Sequence, residues 1–421
     1  MARRWQWASC LLVAGCVADN AAYTAAGSGS SGAEPTPGDA ATSGASLTTG
    51  GDASAGGSST TGSDGGDSDE SSSTTAVDDW WEPSFPVRAL VHYQPLVPED
   101  LHEFPALLDI TLPDIAGDFG PDILIVATDL YGSEAPLEIV HWEPETAHLV
   151  AWVNLWVYLH DKDTPLYVYF GGETPSAYPR QAAWPGYEGA WHLDGGFEKA
   201  TLNSASDVGH FQFTSAEDGV LTAMEDGIVG DAAGFDGYDD DARVPSAELG
   251  LPREVSEFTI SAWARGDDHA ELGAPVFAFS NTYGFGAEND AYVRVGQGDA
   301  TAQVRTGTEP EEGMLWEAPA MKMWHHYVLT FDGTALRAFV DGQSAGLMKA
   351  PGLAELDSDF FRIGSWGAEA WSSDLIPRTW LGPIDEVRLS YGVRGGPWIE
   401  AEFVNQSTPD ATHDVLYVEW Y

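Results

Sequence analysis

Trp324-His325-His326-Tyr327-Val328-Leu329-Thr330-Phe331-Asp332-Gly333-Thr334-Ala335-Leu336-Arg337-Ala338-Phe339-Val340-Asp341-Gly342 decides the fold class of this chain. It holds two short runs rich in aromatic and aliphatic residues, His325 to Phe331 and Leu336 to Val340, each followed by Asp-Gly. Glycine reaches positive φ without steric cost, so Asp-Gly between such runs reads as a turn joining two antiparallel strands. A helix would need apolar residues at a period of 3.6 over a longer window, and this stretch lacks them.

Working outward, the same grammar repeats. Towards the N-terminus lie Gly189 to Leu193, Phe258 to Ala264, Val276 to Phe279, Tyr292 to Val295 and Ala302 to Val304. Towards the C-terminus lie Phe361 to Gly364 and Ile384 to Leu389. Strand-length runs at even spacing, separated by turn residues, predict an all-β, antiparallel sandwich or jelly roll. Pro175 to Pro185 reads as a linker before it. Upstream, Phe85 to Tyr93, Pro121 to Thr128, Leu137 to Trp142, His148 to Leu159 and Leu166 to Phe170 predict a smaller β domain over 80–175. The one helical candidate is Trp398 to Asn405, in a short terminal segment, 394–421, that follows a main domain over 186–393.

From Val17 to Asp79 the composition changes to Gly, Ser, Thr, Ala and Asp without Lys or Arg. Such a chain cannot bury enough surface to offset its ordering entropy, so 16–79 is expected to be a disordered tether. A coil of that length reaches roughly 40–45 Å. Before it, Arg3 and Arg4 precede an apolar stretch, Trp5 to Val13, too short to span a bilayer but suited to a signal peptide over 1–15. Leu12-Val13-Ala14-Gly15-Cys16 resembles the bacterial lipobox, which implies lipidation of Cys16. Val17 after that cysteine resembles the outer-membrane sorting pattern of Gram-negative lipoproteins. The expected location is the cell envelope, with the membrane touched only through the lipid.

The chain carries 18 Lys+Arg against 66 Asp+Glu, a formal net charge of −48. Phosphate backbones and anionic headgroups are repelled by such a surface, which argues against nucleic-acid partners. The two cysteines, Cys10 and Cys16, both lie in the leader region, so no disulfide or thiolate metal site is expected in the folded part.

Taken in order, several short motifs from Gly189 to Ser390 resemble the LamG-like, concanavalin A-like jelly roll. They are Gly234-Phe235-Asp236-Gly237, Phe258 to Trp263, Trp324 to Gly333, Phe339 to Gly342, Phe361 to Ser365 and Gly382 to Leu389. The resemblance implies two packed antiparallel sheets of about six or seven strands each. Residues 83–172 are similar to a bacterial β domain of unknown function that precedes such domains, through Trp152 to Leu155 and Leu166 to Gly171. Trp398 to Gln406 resembles the short helix that follows them.

The resemblance also frames the chemistry. Glucanases of this fold carry Glu-x-Asp-x-x-Glu or Glu-x-Asp-x-Glu on one strand; the nearest string here, Glu355-Leu356-Asp357-Ser358-Asp359, has Asp as its third acid and reads as a solvated loop. Catalysis is not expected. Adjacent strand residues point to opposite faces, so His325 and His326 are read as packing residues and not a metal pair. Calcium, which takes several oxygen ligands on loops, is implied at Asp236 and Asp385, with Asp194 a further ligand. Asp239-Asp240-Asp241 reads as a solvated acidic loop. Stacking on a sugar needs exposed aromatics, and Trp366, Trp371, Tyr283 and Phe285 lie in stretches read as loops. The expected function is recognition or adhesion: a non-catalytic domain binding a carbohydrate or protein ligand. The alternatives are a secreted glycan-active enzyme or its accessory module, and a structural envelope protein.

Overall fold

A computed structural model describes residues 80–194, 201–214, 223–238, 240–267, 273–281, 290–296, 298–307, 313–367 and 379–421. The expected tether and Cys16 lie outside these residues. All the paired strands described are antiparallel, as the turn chemistry predicts.

The first sandwich packs a five-stranded sheet on a three-stranded one. In Val87–Tyr93, Val87, Ala89, Val91 and Tyr93 are all inaccessible to solvent, the period-2 pattern of one buried face. Their core also takes Phe104, Leu108, Leu149, Trp152 and Val168. The strand Leu101–Thr111 contains Pro105, which cannot donate to a ladder; the strand sits at the edge of the three-stranded sheet, where a missing donor is tolerated.

The five-stranded sheet is completed from far along the chain. His413–Trp420 pairs with Val87–Tyr93 from Val87↔Trp420 to Tyr93↔His413. Sequence reading set 394–421 apart as a terminal segment; in the structure its last strand belongs to the first sandwich. No local pattern encodes such a partner, because pairing across this distance depends on the assembled core.

The jelly roll has an eight-stranded and a seven-stranded sheet. In Phe258–Arg265, Phe258, Ile260, Ala262 and Ala264 point inward to meet Phe277, Phe279, Val293, Phe361 and Ile363. Each large side chain so buried stabilises by about 1.5–3 kcal/mol. The alternate residues point outward, where the helix Gly396–Ser407 covers them: Ser261 Oγ donates to Glu402 Oε1 at 3.2 Å, and Trp263 Nε1 to Gln406 Oε1 at 2.6 Å. Ile399 packs on Val328 and Phe339, while Trp398 and Ala401 enter the core of the first sandwich. The helix thus occupies the outer face of the eight-stranded sheet.

The two histidines behave as the alternation requires. His325 bonds Asp341 Oδ2 at 2.7 Å on one side; His326, fully buried on the other, lies against Trp263 with ring centroids 5.0 Å apart. Burial, with no hydrogen-bond partner for either ring nitrogen among the described residues, holds His326 down at about 4.

Candidate functional site: the outer face of the seven-stranded sheet

Six strands of the seven-stranded sheet align one residue each in a continuous row. Gln303 faces Tyr292, Tyr292 faces Ala278, Ala278 faces Arg362, Arg362 faces Arg243, and Arg243 faces Gln212. At about 4.8 Å between strands the row spans roughly 24 Å. Each of these side chains alternates with a core residue, such as Ala302 and Val304 beside Gln303, or Phe361 and Ile363 beside Arg362. The row therefore lies on the face away from the core.

Ala278, at the centre of the row, is covered: it packs with Tyr292 and Trp366 in one buried cluster. Tyr292 donates its hydroxyl to Gln303 Oε1 at 2.9 Å, and Trp366 meets the Tyr292 ring edge-on with centroids 5.0 Å apart. On the other side of Ala278, the guanidiniums of Arg362 and Arg243 lie 4.6 and 4.9 Å from the Phe360 ring. Arg362 also bonds the fully buried Asp241, whose carboxylate lies 3.5 Å from Arg243 Nη1. The Nε–H groups of both arginines are shielded and have no acceptor among the described residues. Burial pushes the Tyr292 hydroxyl up, so it stays a neutral donor. The row sets aromatic rings beside fixed donors, but its centre, Ala278, Tyr292 and Arg362, is buried, Gln303 and Arg243 are half-buried, and Gln212 is exposed.

Trp366 joins this row, but not as the exposed loop aromatic that the sequence suggested. It is 7% accessible, packed with Ala278 and Tyr292. Tyr283, Phe285 and Trp371 lie outside the described residues, as does Asp239. Sequence reading missed Gln303, Tyr292, Arg362 and Arg243. The signal was there: a polar or amphipathic residue at alternate positions of strands otherwise apolar, as in Phe-Phe-Arg-Ile at 360–363.

The three carboxylates proposed for calcium do not meet. Asp236 sits opposite Leu381, four residues along that strand from Asp385, or roughly 13 Å. Asp236 Oδ1 instead accepts from Tyr238 N at 2.7 Å. Asp385 is fully buried; its Oδ2 accepts from the backbone of Ile228 and Val229 and its Oδ1 from Glu386, at 2.6, 3.1 and 2.8 Å. Asp194 is exposed and stands across the same turn, its Cβ near Gly230. An ion needs several oxygens at 2.3–2.6 Å, and these residues do not supply them to one point. Of the expected acidic loop at 239–241, Asp240 and Asp241 are buried, not solvated: Asp240 Oδ2 accepts from Asp236 N at 2.8 Å. In the string at 355–359, Glu355 and Asp357 pair with Arg305 at 2.9 and 2.7 Å, and Asp357 also pairs with Arg253.

The sequence from 236 to 400 matches the model of the concanavalin A-like lectin/glucanases superfamily. No curated protein sequence matches the chain. Among solved structures, domain 4 of an extracellular arabinanase from Geobacillus stearothermophilus, solved with arabinotriose, is 16% identical, with a TM-score of 0.35 over 51% of this chain and 96% of that one. The binding domain of Paraclostridial Mosquitocidal Protein 1 is 9% identical, with a TM-score of 0.39 over 52% of each chain. The binding domain of botulinum neurotoxin serotype D is 8% identical, with a TM-score of 0.40 over 52% of this chain and 51% of that one. The chain thus spans about half the length of the two toxin domains. Residues 236–400 form a concanavalin A-like lectin/glucanase domain.

Proposed function

We propose that this chain is an envelope-anchored recognition protein that binds a glycan, without turning it over, on the outer face of the seven-stranded sheet. The observation that carries the reading is the row from Gln303 to Arg243, with aromatic rings on both sides of Ala278 and, at one end, two arginines held by Asp241. The opposite sheet's outer face is occupied by the helix, whereas Gln303, Arg243 and Gln212 keep part of this face exposed, and a ligand would reach the row there. Binding without turnover is supported by the state of the acids. Asp241 is tied to Arg362, and Glu355 and Asp357 are tied to Arg305, so none of them serves as a free acid or nucleophile of a hydrolase pair. Lipidation at Cys16 would place the domain at the membrane, and the segment that follows would let it search the surroundings.

A glycan array probed with the full chain tests the ligand class. Specific glycans retained by the chain, and lost with Gln303→Ala and Tyr292→Phe, uphold the reading. Retention of protein partners but no glycan would replace it with protein recognition. Labelling by a palmitate analogue that persists in Cys16→Ser would remove the anchor.

A further inference from the structure

A recess lies where the edge strands of the two jelly-roll sheets meet, Met314–Glu317 of one and Gln343–Lys349 of the other. At one end the seam is shut. A Cβ on Gly346 would lie 2.6 Å from Met314 Sδ, so the glycine lets the thioether close the gap. At the other end the seam opens, and the cause is a β-bulge. Ala338 faces Gly346 while Phe339 faces Ser344, which leaves Ala345 as an extra residue. A bulge bends its strand and re-aims the neighbouring side chains. Beside it is a groove of about 330 Å³, the small end of the range for ligand sites.

The lining is specific in kind. Trp316, Pro319, Val340 and Ala345 give apolar walls, with Gln343 and Ser344 exposed at the rim. The single charged lining residue is Glu317. Without a cation, the groove has nothing to hold a phosphate or carboxylate, and Glu317 repels both. The Trp316 indole N–H has no acceptor among the described residues. An extended peptide is disfavoured because the bulge interrupts the edge and Lys349 caps it, two devices that block strand addition. What remains is a compact neutral ligand with one apolar face and hydroxyls around its rim. We propose that the groove binds a neutral pyranose residue, stacked on Trp316 and bonded by Gln343 and Ser344, as a second glycan site separate from the sheet-face row.

Fluorine NMR of the full chain labelled with fluorotryptophan tests this. Trp316→Phe and Trp366→Phe identify the two resonances. Cellotriose, xylotriose, mannotriose and chitotriose are titrated in turn to millimolar concentration. The expected result is a saturable shift of the Trp316 resonance with at least one of them, weakened about ten-fold in Gln343→Ala while the melting temperature holds. Gln343 is exposed, so its loss should not unfold the chain. The proposal is overturned if none of the four moves the Trp316 resonance, or if Gln343→Ala leaves the affinity unchanged. A shift confined to Trp366 would uphold the sheet-face reading and sink this one; a shift confined to Trp316 would do the reverse.

Discussion

His192 Nδ1 lies 2.7 Å from Glu386 Oε1, deep in the junction between the two sandwiches. Its Nε2 is 3.4 Å from Glu138 Oε2, which belongs to the first sandwich and also accepts from Trp184. Arg388 extends the chain of charges, bonding Glu386 at 3.1 Å and Glu402 of the helix at 2.9 Å. All five groups are at least nine-tenths buried. Burial alone would lower the His192 pKa, but Glu386 and Glu138 outweigh it and raise it well above the usual imidazole range.

His192 therefore stabilises the fold in its charged form. Its contribution is fully present below the unfolded value of about 6.5 and declines as pH rises through the higher folded value. Glu138 has the opposite sign: burial would raise its pKa, but His192, Ser204 and Trp184 lower it, so its contribution declines only in acid. His192→Gln should cost about 3–5 kcal/mol near pH 6 and progressively less in alkali. Urea melts of both chains across that range check this; a pH-independent difference would refute the charged imidazole.

Deleting His413–Tyr421 should destabilise the chain by roughly 3 kcal/mol or more, because Val87–Tyr93 loses its neighbour and Val415 and Val418 leave the core. The new edge should also promote aggregation. Calorimetry and light scattering measure the two effects.

Asp385→Ala would leave the buried N–H groups of Val229 and Glu386 without acceptors, at about 1–3 kcal/mol each, and would also release the half-buried N–H of Ile228. The loss in melting temperature should be the same in calcium and in EDTA. A loss seen only with calcium present would restore the metal reading.

Gly382 has φ of +121°, and a Cβ there would lie 2.2 Å from the Arg265 carbonyl oxygen. Backbone cannot yield as a side-chain tip can. Gly382→Ala should cost roughly 2–4 kcal/mol, read from denaturant midpoints.

How much of this was legible depended on range. The hairpin at Trp324–Phe331 and Ala335–Val340 follows from its own residues, because alternation and Asp-Gly chemistry act locally. The helix at Gly396–Ser407 was legible for the same reason. The pairing of residues 87–93 with 413–420 was not, since nothing in either segment names its partner. Trp366 shows a third limit. Aromatic content marked it as a ligand residue, but only the fold puts it against Tyr292 and removes it from solvent. Arg362 was hidden for the converse reason, as its neighbours made the whole strand read as core.

The closure of the first sandwich by the last described strand bears on how such a chain matures. Arg88 and its partner Glu419 are 331 residues apart in sequence. During synthesis the first sandwich would emerge early and wait, one edge bare, until residues 413–420 had been delivered. A chaperone that shields that edge, or a nascent jelly roll that folds first and presents the strand, would set the pace of the whole process. Truncated products would then be recognisable by their unfinished N-terminal half, which gives quality-control proteases a signal that the rest of the chain never arrived.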